Sequence, residues 1–367
     1  MTNDFFEKHS ILGLQPQIIK SNKSYNIILI GSSPVLAELF YQIAILSNLP
    51  EQNVLNLYLV DKDAKNFYKR LKKLFSGIAN IPHLNIKTIK LNSKSPQFYT
   101  NKIWKKRNLT NIIIGTKSRK RNLKIKNRLN NYISTKKTKI LLTNNLTQPN
   151  NKSKLIAKLI NYLYLRSTYN PNLLFNKKDK TKAKRIWNKI SSSDQNSTKM
   201  QSIHISTKLL ALGLKKQKST KTSKELLEIN KKIFDKKLDF REINDQKLQE
   251  YAEKFHNSQN NFKPIYFPKK FKSLFEKLIR SEHNRWNTYH YLNGWEYSKI
   301  KNKKIKRHDC LIPLEKFDTD KIKTTIIFDI FALVYIPNLL ASAGMELSQI
   351  SLKTPLCITK INFQKNG

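Results

Sequence analysis

The sequence contains few of the residues that define several non-globular protein classes. Among 367 residues there are only 8 Gly, 12 Pro and 2 Cys, the latter at Cys310 and Cys357. These low counts exclude collagen-like, proline-rich and disulfide-scaffold proteins. The low cysteine count is also typical of a reducing cytosol. Hydrophobic residues make up 39% of the chain and aromatic residues 10%, which is enough to bury cores and excludes wholesale disorder.

Acidic residues are also scarce, since 25 Asp and Glu stand against 70 Lys and Arg, a formal net charge of +45. A charge of this size attracts polyanions. However, the basic residues are 59 Lys and only 11 Arg, accompanied by 39 Asn, which indicates the bias of an AT-rich genome. Proteins that read phosphates or bases usually use the planar fork of Arg. We therefore expect a solvated Lys surface, and keep a Lys-driven nucleic-acid binder as an alternative.

Targeting signals are weak in the sequence. The N-terminal residues lack a basic region followed by an apolar run and a small-residue cleavage site. One apolar stretch, Thr324–Met345, has the length of a membrane span, but Asp329 and Pro337 interrupt it, which favours a pair of buried helices. We expect a soluble, cytoplasmic protein.

The front part of the chain alternates short apolar runs with helical stretches. Residues 1–24 are polar and aperiodic, and we expect them to form a tail or a docking arm. Residues 25–150 predict right-handed βαβ units and a Rossmann-like parallel sheet, hence an α/β fold class. The third run alternates like an outer strand. The five runs predicted as strands are Asn26–Gly31, Val54–Val60, Leu84–Leu91, Leu109–Gly115 and Lys139–Thr143.

The rest of the chain predicts helices. Residues 151–265 are expected to form a helical connector that ends in a linker, Asn257–Pro268. Residues 266–350 predict a small, mostly α-helical domain with an inserted basic loop, and 351–367 a C-terminal tail. The main helix of the domain at 266–350 is predicted at Phe271–Leu292. It should end at Asn293–Gly294, where a left-handed residue stops the helix.

The first candidate site is the turn after the first predicted strand. Dinucleotide-binding domains have G-x-G-x-x-G here, so that the pyrophosphate can approach the backbone and the helix N-terminus. Only Gly31 remains of the three glycines; Ser33 still permits a phosphate contact, and Leu36 occupies the third position. The alternative is a Rossmann domain that serves structure or dimerisation.

The second candidate is Asp61, which follows the second predicted strand. A carboxylate at this position can accept hydrogen bonds from both ribose hydroxyls of an adenine nucleotide and would repel a 2′-phosphate. The alternative is an exposed N-cap that opens the next helix.

These segments resemble the N-terminal domain of TrkA-type regulators of potassium conductance. The resemblance covers about residues 25–145 and is carried by NIILIG in the first strand, LVDKDAKNFYKRL after the second and IIIGT at the fourth. It implies binding of NAD(H) or ATP/ADP by Gly31, Ser33 and Asp61. It also implies pairing of two copies, hence a homodimer, and a possible ion-channel or transporter partner.

A second set of motifs lies near the C-terminus. The order E-H-x-R-W, G-W-x-Y, H-x-x-L-x-P, D, I-P-x-L-L, G resembles the RyR domain, the module repeated in ryanodine receptors and also found in bacterial proteins. Ser197–Gly213 resembles the connector of bacterial proteins that join a TrkA-type domain to an RyR domain. The anchors, over about residues 272–345, are Glu282–Trp286, Leu292–Tyr297, His308–Pro313, Asp329, Ile336–Leu340 and Gly344.

The RyR resemblance implies ligand or nucleotide recognition, for which we single out Arg285, Trp295 and His308. Arg285 can pair with Glu282 three residues earlier on the same helix face, or receive phosphates. Large apolar anchors are expected in the core by default. The basic run Lys299–Arg307 is either a solvated loop or an anion-binding lip. The expected core anchors are Trp286, Leu292, Trp295 and Tyr297.

No motif in the sequence points to a reaction. Neither a nucleophile elbow nor a P-loop occurs, and His283, His290, His308 and Cys310 lack the spacing of a metal site, so we expect neither catalytic residues nor a metal. The basic run Lys117–Arg128 is expected to be the outer face of a helix. The leading hypothesis is a non-enzymatic, ligand-sensing regulatory protein, and the alternatives are an NAD-dependent enzyme and the nucleic-acid binder.

Overall fold

The computed structural model describes residues 5–13, 15–21, 23–133, 137–143, 151–165, 170–238, 272–317 and 319–350. The predicted linker Asn257–Pro268 and the predicted tail 351–367 lie outside the described residues.

The front part is a five-stranded, wholly parallel sheet with the order β3-β2-β1-β4-β5. This confirms the Rossmann-like prediction, with β3 at an edge, where its side chains alternate between exposed and half-buried. All five predicted runs are strands: β1 (Tyr25–Ile30), β2 (Leu55–Asp61), β3 (Leu84–Lys90), β4 (Leu109–Ile114) and β5 (Lys139–Leu142).

Helices cover both faces of the sheet, which explains why β1 is apolar and buried at nearly every position. Ile27 and Leu29 face one buried cluster, and Ile28 and Ile30 face the other. The strands are connected by α2 (Pro34–Leu46), α3 (Ala64–Leu74), α4 (Pro96–Thr100) and α5 (Arg119–Leu129).

The described residues of the N-terminal segment pack into the core, so a free tail is wrong for them and the alternative, a docking arm, fits. It contains α1 (Phe5–Lys8) and a 3-10 helix, Pro16–Lys20. Its apolar side chains are too irregularly spaced to show a period, yet they are buried; Leu12 is fully buried. The side chain of Gln15 donates to the carbonyl of Leu109 at 2.7 Å and so ties the segment to β4.

The second half is helical, as predicted, with two small strand pairs. β6 (Leu214–Lys218) pairs antiparallel with β9 (Met345–Gln349), and β7 (Glu296–Tyr297) pairs with β8 (Arg307–His308). The helices are α6 (Asn151–Leu163), α7 (Lys177–Trp187), α8 (Ser192–Ala211), α9 (Ser223–Leu238), α10 (Leu274–Leu292), α11 (Thr319–Val334) and α12 (Ile336–Ser342).

Two local predictions are confirmed in this half. The main helix α10 begins in a capping box at Ser273 and is followed by Gly294, whose φ of 76° is left-handed. The long apolar stretch is the helix pair α11 and α12, with Pro337 in the first turn of the second helix. Within the described ranges, no helix is both long and apolar enough to cross a membrane.

The sheet and the helices behind it share one continuous apolar core. The connecting element is α2, which is buried nearly all round because one side packs on the sheet and the other on α8 and α10. Phe40 of α2, Met200 of α8 and Leu278 of α10 belong to the same buried cluster. The two predicted modules are therefore packed together as one body.

Candidate functional site

A crevice of about 740 Å³ opens at the carboxyl ends of β1, β2 and β4. In open α/β sheets this edge is where ligands bind, because the strand order reverses there. Ser33 and Asp61 both line the crevice, and Gly31 lies in the turn beneath it. The other lining residues are Ser32, Lys62, Asp63, Asn66, Phe67, Lys69, Arg70, Lys73, Thr116, Lys117, Ser118 and Arg121.

The turn keeps the close packing of a dinucleotide-binding loop by other means. Gly31 has φ of 109°, and a Cβ there would lie 2.7 Å from the carbonyl oxygen of Gly115. Leu36 is fully buried and is not a lining residue of the crevice. It fits because a Cβ on Gly115 would lie 2.5 Å from the Leu36 Cγ. The glycine missing from the turn is thus replaced by a glycine after β4, and the crevice stays open.

Ser33 is the N-cap residue of α2, but its side chain does not cap the helix. It is buried, and within the described part of the chain its Oγ has no hydrogen-bond partner. A buried hydroxyl without a partner costs about 1–3 kcal/mol, so such groups usually find one. Pro34 in the first turn has no amide N–H, so this turn offers a ligand one backbone donor fewer. The Ser33 hydroxyl is a side-chain donor at the same turn.

Asp61 is not a helix cap, which was the alternative for this residue. The N-cap of α3 is Asp63, and the amide of Asp63 donates to the Asp61 Oδ1 at 2.9 Å. This contact fixes the Asp61 carboxylate on the crevice wall at the end of β2. Its position is the one that a ribose-binding carboxylate occupies in a Rossmann domain.

The crevice is strongly basic, with six basic and two acidic lining residues. Arg70 donates to the carbonyl of Ser32 at 2.8 Å, and Arg121 donates to the Ser93 Oγ at 2.6 Å. Lys117 and Arg121 belong to the basic run that, as predicted, lies largely on the outer face of α5. The contribution of α3 was missed, although Asn66, Lys69, Arg70 and Lys73 have the spacing of one helix face.

A second cavity, of about 570 Å³, lies between the connector helices and α10. Arg285 and His308 line it, but Trp295 does not. Trp295 instead packs on the rings of His290 and His308, with centroids at 5.3 and 6.2 Å. The other lining residues are Asn161, Tyr164, Ile190, Asp194, Ser197, Thr198, Gln201, Glu282, His283, Trp286, Lys301, Asp309, Cys310, Phe328 and Asp329.

Glu282 is the centre of a buried ion network beside this cavity. Its Oε1 lies 2.8 Å from Arg285 Nη2, which is the predicted pair, and its Oε2 lies 2.9 Å from Lys208 Nζ and 3.3 Å from His204 Nδ1. Burial alone would raise the pKa of Glu282, but Arg285 and Lys208 outweigh it and hold the pKa well below its usual range. The second terminal nitrogen of Arg285, Nη1, has no hydrogen-bond partner among the described residues.

The network also reaches the sheet domain. The His204 Nε2 lies 3.1 Å from the carbonyl oxygen of Asn48, and Ser281 Oγ donates to the same oxygen at 2.6 Å. Asn48 lies two residues after the end of α2, so α8 and α10 are both bonded to the turn that follows the helix beginning at the crevice. A second buried pair joins His283 Nδ1 to Asp329 Oδ2 at 3.2 Å; burial raises the pKa of Asp329, and His283 partly offsets this.

The remaining predictions near the second cavity have mixed outcomes. Leu292 is buried, but Tyr297 is 48% exposed, so its predicted place in the core is wrong, because it lies on the two-residue strand β7 at the surface. Of the basic run Lys299–Arg307, Lys301 lines the cavity. Possible metal ligands on His308, Asp309 and Cys310 lie within 4.8 Å of one another. His308 Nδ1 accepts a hydrogen bond from the Cys310 amide at 3.1 Å.

Comparison with known proteins matches part of the chain to a known family. The family model described as "RyR domain" matches residues 255–327, which contain the E-H-x-R-W, G-W-x-Y and H-x-x-L-x-P motifs. A search of curated proteins found no match. The family match does not extend to the sheet. The structure shows the Rossmann-like fold of that part, and its TrkA-type resemblance stays a prediction. The segment that supplies α10 and the cavity residues from Glu282 to Cys310 is therefore similar to the RyR domain.

Proposed function

We propose that this protein is a non-catalytic sensor and that its sheet crevice binds a phosphorylated adenine nucleotide, NAD or ATP/ADP. The observation that carries the proposal is the Ser33 hydroxyl, which is buried at the turn below the crevice without a partner among the described residues. A phosphate oxygen of a bound nucleotide would give this hydroxyl an acceptor. Binding of this kind needs no bond to be made or broken.

The charge of the crevice supports a phosphorylated ligand. Six basic side chains surround the turn, and two of them, Arg70 and Arg121, are held in place by hydrogen bonds to the protein. Fixed guanidinium groups lose little side-chain entropy when they bind phosphate, and they favour bidentate contacts.

The position of Asp61 supports an adenosine ribose. Its carboxylate lies at the end of β2, where it can accept the ribose hydroxyls, and its charge would repel a 2′-phosphate. We therefore propose NAD in preference to its 2′-phosphorylated form.

The shared core gives such binding a route to the rest of the molecule. The helix α2 begins at the crevice and ends near Asn48, which is bonded to α8 and α10. A ligand that prefers one arrangement of these helices would shift the protein toward it. Pairing of two copies and an ion-channel or transporter partner are further parts of this proposal, and they rest on the TrkA-type resemblance.

Titration calorimetry of the full chain with ATP, ADP and NAD, at low and raised salt, tests the proposal. We expect saturable binding that survives the raised salt. Asp61→Ala should weaken it by about tenfold or more, because about 1–3 kcal/mol of hydrogen bonding to the ribose is lost. Glu38→Ala is the matched control, since it removes the same charge from an exposed position of α2 outside the crevice.

Ser33→Ala separates a ligand contact from a structural role. If the hydroxyl serves the ligand, the variant binds nucleotide more weakly while its free energy of unfolding is unchanged or higher, since an unsatisfied buried group is removed. Equal affinity in the wild type, Asp61→Ala and Ser33→Ala would overturn the proposal. Binding of an oligonucleotide alone, lost at raised salt, would favour the nucleic-acid alternative.

A further inference from the structure

The charge of the second cavity is opposite to that of the chain. Four acidic residues line it, Asp194, Glu282, Asp309 and Asp329, against two basic ones, Arg285 and Lys301. The whole chain, by contrast, has 70 basic and 25 acidic residues. Glu282 is already paired with Arg285 and Lys208, so a phosphate group brought into this cavity would face Asp194, Asp309 and Asp329, with Lys301 as the remaining basic lining residue. The sheet crevice has the reverse balance.

Aromatic side chains form walls of the cavity. Tyr164 and Phe328 meet edge to face with ring centroids 5.8 Å apart, and Trp286 contributes from α10. Phe328 is 40% exposed and lines the cavity, so an entering molecule would contact its ring. Ring walls of this kind suit a flat aromatic ligand, which gains from stacking and edge contacts.

Arg285 adds a specific polar group to these walls. It is only 1% exposed, and its Nε and Nη2 are bonded to Glu282, at 2.9 and 2.8 Å. Its Nη1 has no hydrogen-bond partner in the described part of the chain. A buried guanidinium nitrogen needs an acceptor, such as the carbonyl oxygen or ring nitrogen of a heterocycle.

The RyR resemblance implies a ligand for Arg285 and His308, which line this cavity. We propose that the ligand is a planar nitrogen heterocycle without phosphate, the class to which nucleosides belong. Its volume of about 570 Å³ lies within the range of small-molecule sites. The inference does not depend on nucleotide binding at the crevice. Its walls come from the connector helices as well as from the segment similar to the RyR domain, so neither part alone forms the site.

A blocking variant on α8 tests the proposal. Ser197 lines the cavity and is half-buried, so Ser197→Trp should fill the space. The neighbouring Asn196 is exposed and outside the lining, which makes Asn196→Trp the matched control. The probes for calorimetry are adenosine, guanosine and their 5′-monophosphates. We expect a nucleoside to bind the wild type and the control, with a loss of about tenfold or more in Ser197→Trp.

Further arms make the outcome decisive. Phe328→Ala changes a partly exposed residue and should fold even if Ser197→Trp does not; we expect it to weaken nucleoside binding severalfold. Asp61→Ala should leave nucleoside binding unchanged, which separates this site from the crevice. The proposal fails if no nucleoside binds, if a monophosphate binds more tightly than its nucleoside, or if Asp61→Ala abolishes the signal while Ser197→Trp keeps it.

Discussion

His290 is a histidine that the fold keeps neutral. Its Nδ1 donates to the carbonyl of Trp286 at 2.9 Å, and its ring lies 4.0 Å from that of Trp286. Burial lowers its pKa to about 3; the hydrogen bond opposes this, and the positive charges of His308, Arg285 and Lys301 add to it. The unfolded chain takes up a proton near the ordinary pKa of about 6.5, so it binds more protons than the folded chain at lower pH.

The first prediction follows from this difference. The contribution of His290 to stability is present above pH about 6.5 and falls as the pH drops toward 3, by up to about 2 kcal/mol at pH about 5. Denaturant unfolding at pH about 7.5 and about 5 should show a smaller loss in His290→Asn than in the wild type. Other titrating groups, such as His83, are common to both proteins. An identical loss in both would contradict the neutral state of His290.

Single residues show where the sequence is informative about sites and where it is not. Ser33 and Asp61 could be placed at the crevice because the strand ends fix their positions. Arg285 and His308 could be assigned from motifs, but Trp295 could not be excluded from the cavity, because the path of the loop after α10 depends on packing. The compensation of Leu36 by Gly115 joins residues far apart in the chain, and no local pattern reports it.

At the scale of elements, α8 and α10 are joined through buried charge. Glu282 of α10 bonds to Lys208 and His204 of α8 as well as to Arg285 of its own helix, and all four side chains are buried. Removal of the single carboxylate leaves two buried cations without a counter-charge. Such a change is costly even though the intact network itself adds little net stability.

We therefore expect Glu282→Gln to lower the free energy of unfolding by about 3–5 kcal/mol. The matched control is Glu51→Gln, which removes the carboxylate of a partly exposed pair with Lys277 at 2.9 Å and should cost less than about 1 kcal/mol. Chemical denaturation of the three proteins measures both. Similar losses in the two variants would show that burial of the network does not increase the cost of removing the Glu282 carboxylate.

The helices and strands differ in how far they could be predicted. Strands β1 to β5 could be located to within a residue or two. β1, β2, β4 and β5 are continuous apolar runs, as a buried parallel strand is, and the edge strand β3 alternates. The segment containing α7 could be assigned only as charged, since few of its residues are apolar; its helix depends on a capping box at Asn176 and on Ala183 and Trp187 packing inward. The N-terminal segment has no period at all, and its burial comes from contacts with the finished fold.

At the scale of the whole molecule, the shared core predicts cooperative behaviour. The sheet, the connector and the segment similar to the RyR domain contribute to one buried cluster through α2. We expect a single unfolding transition in denaturant, with tryptophan fluorescence and far-ultraviolet circular dichroism giving the same midpoint. Two separated transitions would instead mean that the halves fold as independent modules.

The pairing of β6 with β9 has a consequence for how this chain can be divided. β9 follows the last residue of the family match, and its partner precedes the first. The buried side chain of Asn230 forms two hydrogen bonds with β9. It donates to the carbonyl of Met345 and accepts from the amide of Leu347. A fragment limited to residues 255–327 would lack both strands of this pair, β6 and β9. Any C-terminal fragment that keeps this strand pair must begin no later than Leu214 and end no earlier than Gln349.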